Sequence, residues 1–274
     1  MTDHRQVDAP RIVVVFGGVG AEREVSLVSG EAVLNGLLGQ GFRAEGVRID
    51  AAALPSGIDR VSDIVFPVLH GEFGEDGRIQ GLLESEGYEY VGSDSQSSAL
   101  CMDKVLTKER VLQVGVGCAP SVAWDGRMQL DAANVIGQLG NEIVAKPRSM
   151  GSSVGLHMLS GHAGLMRFLE TGDPSVSGGW ILEQRVRGRE FSVGVLGGEA
   201  MEVVEIVLPD QSPYDYAKKY QANVTRYEVP AQVGLEIRET MRTAAVSAFV
   251  ACGCRDFARV DFMLDEKKGS PVFL

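Results

Sequence analysis

Residues Arg11 to Phe16 read RIVVVF, an unbroken apolar run of strand length with no polar alternation, which suits a strand covered on both faces. Such a strand belongs in a parallel sheet with helices above and below, so the first segment already points to an α/β arrangement. It runs straight into Gly17-Gly18-Val19-Gly20-Ala21-Glu22-Arg23-Glu24. A glycine turn between strand and helix invites a dinucleotide reading, but G-x-G-x-x-G begun at Gly18 needs glycine where Arg23 stands, and Glu22 would repel a pyrophosphate. The turn suits an amino acid better. Glu22, at the start of a helix over about Arg23 to Leu38, would meet an ammonium group while backbone amides face a carboxylate. An acid placed there only to favour the helix dipole is the competing reading.

The alternation continues with strands near Arg43 to Ile49 and Asp63 to Leu69, the latter ending in His70-Gly71-Glu72-Phe73-Gly74-Glu75-Asp76-Gly77. Ligands of open parallel sheets gather at the carboxyl ends of strands, so the Glu22 and His70 turns can share one pocket. His70 reads either as a catalytic or binding group or as a capping one. A helix at Glu75 to Glu86, a short strand at Tyr90 to Gly92 and a Ser/Asp-rich turn at Ser93 to Ser98 close a first domain, 1–97. A helical stretch from Ser98 to Gln113 carries Met102-Asp103-Lys104, whose lysine is either a cation for phosphate or a surface residue.

The stretch Ile143 to Leu156, IVAKPRSMGSSVGL, reads as a buried strand ending at Lys146, a Pro147 that stops the ladder, and a Ser/Gly loop bending at Gly151 and Gly155. Close backbone amides, the hydroxyls of Ser152 and Ser153 and a fixed ammonium are what a polyphosphate needs. Because the lysine precedes the glycines, this is not a P-loop. With Pro120 to Trp124, helices near Leu130 to Leu139 and Gly161 to Leu169, and a strand at Trp180 to Gln184, it makes a smaller α/β unit, 98–184. The stretch Ile181 to Val186 followed by Gly188-Arg189-Glu190 suits a nucleotide-base edge with carboxylates for ribose. In 185–274, strands at Phe191 to Leu196 and Ala200 to Leu208 are joined by Gly197-Gly198-Glu199, a hairpin signal. A long helix runs from about Gly234 to Cys252. In Phe257 to Leu264, Arg259 and Asp261 share one face and Ala258, Val260 and Phe262 the other, as a salt bridge or as an anion clamp with a metal ligand.

The net charge of −11 argues against nucleic acid or an anionic membrane surface as partner. No apolar run approaches membrane-helix length and the start, MTDHRQVDAP, is polar, so the expectation is a cytoplasmic protein. The four cysteines lack metal-finger spacing and read as reduced, mostly buried thiols, with Cys252-Gly-Cys254 too isolated for zinc.

Taken together, AEREVSL at Ala21 to Leu27, LHGEFGEDG at Leu69 to Gly77, MDK at Met102 to Lys104, KPRSMGSSVG at Lys146 to Gly155, YDYAKKY at Tyr214 to Tyr220 and ARVDFMLD at Ala258 to Asp265 closely resemble the D-alanine:D-alanine ligases of the ATP-grasp superfamily. The likeness spans nearly the whole chain in one order. It implies an N-terminal Rossmann-like α/β domain followed by a two-subdomain ATP-grasp fold. The implied enzyme joins two D-alanines for peptidoglycan synthesis through an acyl phosphate, using ATP and Mg²⁺ or Mn²⁺, and a homodimer is implied as well. Residue by residue, Glu22, with Val25 beside it, would hold the first D-alanine's ammonium and His70 would lie near its carboxylate. Ser152 and Tyr220 would complete a hydrogen-bonded set with Glu22, and Arg259 would stabilise the oxyanion. Lys104, Lys146 and Lys219 would neutralise the ATP phosphates under Ser152 and Ser153. Glu183, Val186, Glu190 and Met263 would frame adenosine, and Asp261 would bind metal. Tyr220 also implies amide formation, since ester-forming relatives tend to carry phenylalanine there.

In the family, the strand at Pro271 to Leu274 leads into an E-x-N motif with further metal ligands, so the sequence as given is expected to offer Asp261 alone and to turn over poorly. The alternatives are a silent ATP-grasp remnant acting as a binding partner, or an ATP-dependent carboxylate-amine ligase for another amino acid.

Overall fold

The protein is described from a computed structural model, which covers residues 9–151, 154–173, 176, 178–207 and 225–274. It divides into two compact units, Met1–Ala99 and Leu100–Leu274.

The first unit is built on β1 (Arg11–Gly17), as its apolar run dictates, with β2 (Ala44–Ile49), β3 (Asp63–Pro67) and β4 (Glu89–Tyr90) in the order β2-β1-β3-β4, every pairing parallel. Val13, Val15, Val65, Ile79 and Leu83 form its core. Helix α1 (Arg23–Gly39) packs on β1 at Gly30, where an added Cβ would sit 2.3 Å from the Phe16 side chain, so only glycine permits that approach. Ser26 ties the sheet's carboxyl edge together: its Oγ accepts from Gly17 N at 2.9 Å and donates to Val68 O at 2.5 Å. Helix α2 begins at Arg78 (Arg78–Glu86), three residues later than its sequence suggests. The intervening acids fold the turn instead: Glu75 Oε2 accepts from Gly71 N at 2.7 Å and Asp76 Oδ2 from Phe73 N at 2.9 Å, which holds Phe73 at φ +70.

The expected single helix at Ser98 to Gln113 is two helices, α3 (Ser95–Met102) and α4 (Lys104–Gln113), and the supposed turn at Ser93 to Ser98 mostly belongs to α3. The break comes from Asp103, whose extended backbone and side chain cap α4 by accepting from Val105 N and Leu106 N.

In the second unit, β5 (Ser121–Trp124), β8 (Trp180–Gln184), β6 (Glu142–Pro147) and β7 (His157–Ser160) form one antiparallel sheet in that order. Strand β7 had no expectation attached to it. Strand β6 continues through Pro147, in register with Trp180, because a strand's last residue can do without an N–H in the ladder. Helices α5 (Ala132–Leu139) and α6 (Gly161–Thr171) cover one face through Val135, Leu139, Leu165 and Phe168. A second antiparallel sheet has the order β11-β10-β9-β12-β13 and contains the hairpin of β9 (Gly188–Leu196) and β10 (Glu199–Val207), with β11 (Arg226–Glu228), β12 (Phe257–Asp265) and β13 (Pro271–Phe273). Its inner face, Phe191, Val193, Val260 and Phe262, packs with Met241, Ala245 and Phe249 of α7 (Leu235–Ala251). Of the cysteines only Cys252 is buried and Cys101 is exposed, contrary to a mostly buried set. The Cys101 Sγ lies 3.6 Å from that of Cys254, a neighbour that sequence spacing did not show.

Among the described residues no helix is long and apolar enough to cross a membrane.

Candidate active site

The two turns of the first unit converge. Glu22 stands one residue before α1, is 9% exposed, and its Oε2 lies so near Gly71 that a Cβ there would meet it at 2.3 Å. Gly71 also has φ +63, a conformation that glycine adopts without strain. Next to it, His70 Nε2 is 2.9 Å from Ser29 Oγ, and Nδ1 is 3.7 Å from Glu75 Oε1, so the ring is fixed from both sides. Val25 is half-buried in the first turn of α1. The arrangement places the carboxylates of Glu22 and Glu75 and the His70 imidazole at the carboxyl edge of a parallel sheet.

The second unit gathers charge on the sheet face opposite α5 and α6. Alternation on β6 and β8 sends Ala145 and Leu182 into the helix-covered core and leaves Lys146 and Glu183 on the other side. There Lys146 Nζ bonds Glu183 Oε2 at 2.6 Å, and Lys108 Nζ lies against Oε1. The Lys108 contact meets the distance of an ion pair but lacks hydrogen-bond alignment. Burial by itself would push the Glu183 carboxyl up. The ammonium groups of Lys146 and Lys108 overturn that and hold it at about 2, so the carboxylate is ionised across the physiological range.

Lys104 is no surface lysine. Its Nζ donates to the carbonyls of Pro147 at 3.0 Å and Met150 at 2.6 Å, gathering the start of the Ser/Gly loop around it. Burial and the nearby Lys146 charge, opposed by Glu183, bring its ammonium down to about 8. One residue earlier, both oxygens of Asp103 accept from Arg148 Nε, at 2.7 and 2.8 Å, and Lys104 N donates to Arg148 O at 3.0 Å. The Met102-Asp103-Lys104 motif thus fastens the chain that follows β6 at Pro147, Arg148 and Met150. Ser152, Ser153, Lys219 and Tyr220 lie outside the described residues.

On the second sheet, register assembles a third group. Arg259, Asp261 and Met263 face Gly194, Ser192 and Glu190 across β12 and β9, all on the face away from α7. Arg259 Nε and Nη2 donate to Asp261 Oδ1 and Oδ2 at 3.0 and 2.9 Å, and Ser192 Oγ donates to Oδ1 at 2.8 Å. Val186 is half-buried between β8 and β9. For a divalent cation the donor set is incomplete. No group of three metal-ligating side chains occurs among the described residues, and both Asp261 oxygens are already engaged. A cleft of about 610 Å³ lies on the α6 side of the sheet β5-β8-β6-β7, lined by His157, Phe168 and Trp180 together with Pro147 and Met150, and none of the lysines lines it.

The family model described as the D-ala D-ala ligase C-terminus matches residues 120–274, more than half of the chain, and that of the N-terminus matches 51–93. The chain belongs to the D-alanine–D-alanine ligase family. It is 38% identical over 260 residues to a curated D-alanine–D-alanine ligase of Pseudoalteromonas translucida, covering 94% of this chain and 83% of that protein. Among solved structures, the D-alanine–D-alanine ligase of Bacillus anthracis complexed with ATP aligns with a TM-score of 0.82 at 28% identity, over 97% of this chain and 85% of that one. The VanG D-Ala:D-Ser ligase of Enterococcus faecalis aligns with a TM-score of 0.80 at 29% identity, over 97% and 89%. These matches confirm the α/β and ATP-grasp architecture expected from the motifs.

Sequence reasoning missed Lys108, which is as buried as Glu183. Its one signal was its spacing of four from Lys104, which puts both lysines on the same face of α4.

Proposed function

We propose the following division of labour in the ATP-dependent joining of two D-alanines that membership of this ligase family assigns to the chain. Glu22 accepts the ammonium of the first D-alanine, with Val25 beside it and His70 near the carboxylate. Lys104 and Lys146 bind the ATP phosphates, with Lys219, Ser152 and Ser153 as further phosphate ligands. The carboxylate held by the first set takes the γ-phosphoryl carried by the second, giving an acyl phosphate and leaving ADP. The amine of the second D-alanine attacks its carbonyl, Arg259 stabilises the oxyanion, and the tetrahedral intermediate expels phosphate. Glu22, Ser152 and Tyr220 orient the second substrate. Glu190, Val186 and Met263 border adenosine, as does the backbone at Glu183, whose side chain is turned toward the lysines. Two anions have to meet in this reaction, so cancelling their repulsion carries much of the rate.

The observation that carries this reading is the buried grouping of Lys104, Lys146 and Glu183 directly beside the Ser/Gly loop. Asp261 is the carboxylate this chain would offer to Mg²⁺ or Mn²⁺. It fits as one ligand of an octahedral shell. A cytoplasmic homodimer is part of the same proposal. The test is phosphate release from ATP, which is expected to depend on D-alanine. Release with L-amino acids and none with D-alanine would reject the substrate assignment.

A further inference from the structure

The geometry points to Lys108 as a positioning residue for the nucleotide, the counter-ion that occupies Glu183 so that the positive charge of Lys146 remains available to phosphate. The inference rests on the placement of ATP phosphates at Lys104 and Lys146. Among the described residues, Glu183 is the one carboxylate that forms an ion pair with these lysines, and its side chain is 4% exposed, so water cannot neutralise it. Its two oxygens are divided: Oε2 takes Lys146, and Oε1 takes Lys108 from the helix whose first residue is Lys104. Lys108 sits one helical turn beyond Lys104 and is buried to the same degree as Glu183, so it is out of reach of solvent and ligand alike. Among the described residues its ammonium has Glu183 as its one ion-pair partner, which gives it an electrostatic role.

Charge counting gives that role a sign. Lys104, Lys108 and Lys146 against Glu183 leave two positive charges for the triphosphate. Without Lys108, one remains, and Glu183 has Lys146 as its sole ion-pair partner, so a phosphate must compete with a buried carboxylate for that ammonium. Removing Lys108 and the Glu183 charge together returns the count to two and frees Lys146 from the competition. In a poorly solvated cluster one unit charge changes a contact several ångströms away by about an order of magnitude or more in affinity.

The experiment compares ATP dissociation constants by calorimetry, and KM values for ATP and D-alanine, in the full chain. Lys108→Met is expected to weaken ATP at least about 10-fold while the D-alanine KM stays within about 2-fold, and K108M/E183Q is expected to recover to within about 3-fold of the parent. Lys108→Arg keeps the charge and is expected to bind ATP normally. Should K108M fail to fold, as an unpaired buried carboxylate could cause, the double variant and K108R carry the test alone, since neither leaves that carboxylate with one partner fewer. An unchanged ATP affinity in K108M, or a double variant as weak as K108M, would overturn the inference and leave Lys108 a packing residue. Lys146→Ala serves as the control: if it leaves ATP affinity intact, the phosphate site itself has been misplaced, which is a different failure.

Discussion

The first unit presents its candidate ligands in turns at the ends of parallel strands, where Glu22 and His70 come from two separate loops. The second presents them along strands and one helix, where Lys146, Glu183, Arg259 and Asp261 are fixed by register and Lys104 and Lys108 by helical spacing. In the first, backbone closeness does the positioning: Gly71 lies against the Glu22 carboxylate and Ser26 draws the strand ends together. In the second, paired charges do it, with burial amplifying each pair. A small zwitterion needs a few well-placed groups, whereas a triphosphate needs net positive charge held against desolvation.

If the division is correct, the two ligands separate under mutation, and this is where the largest effects are expected. Lys146→Ala should weaken ATP about 100-fold and leave D-alanine nearly unchanged, and Glu22→Gln should do the reverse, each measured by calorimetry and steady-state kinetics. Parallel loss of both ligands in either variant would erase the comparison.

A smaller effect isolates the backbone contribution. Gly71→Ala puts a methyl into the Glu22 carboxylate at a position with φ +63, and should raise the KM for D-alanine about 10-fold while costing about 1–3 kcal/mol of stability in denaturant titration. The second unit should respond to pH instead. Lys104 is brought from an ordinary 10.5 to about 8, so without nucleotide it is charged below that value and loses its charge as pH rises through it. ATP affinity should therefore fall above pH 8 by a few-fold, and Lys104→Arg, which stays charged, should flatten the decline. The smallest effect tests the fastening of the loop: Asp103→Ala removes the α4 cap and the Arg148 partner, and should lower stability by about 1–2 kcal/mol in thermal unfolding.

The contrast also explains how much was legible in the sequence. Strands declared themselves through apolar runs and period-two alternation, so β1, β6, the β9–β10 hairpin and the opposite faces of β12 were readable before any coordinates. The position of Glu22 beside the His70 turn followed from the rule that strand ends gather in parallel sheets. What stayed hidden depends on distant partners. The break at Asp103 is set by its side chain capping the next helix while it also holds Arg148, 45 residues away. The acids Glu75-Asp76 suit the start of a helix by sequence, and they are occupied in shaping their own turn. Lys108 looked like any helix lysine, because nothing local says that α4 covers Glu183.

The most direct measurement is a crystal structure of the protein with a non-hydrolysable ATP analogue. The phosphate oxygens are expected within hydrogen-bonding distance, about 3 Å, of both Lys104 Nζ and Lys146 Nζ, with Lys108 still on Glu183. Phosphates found away from both lysines, with the Lys146–Glu183 pair undisturbed, would contradict the account.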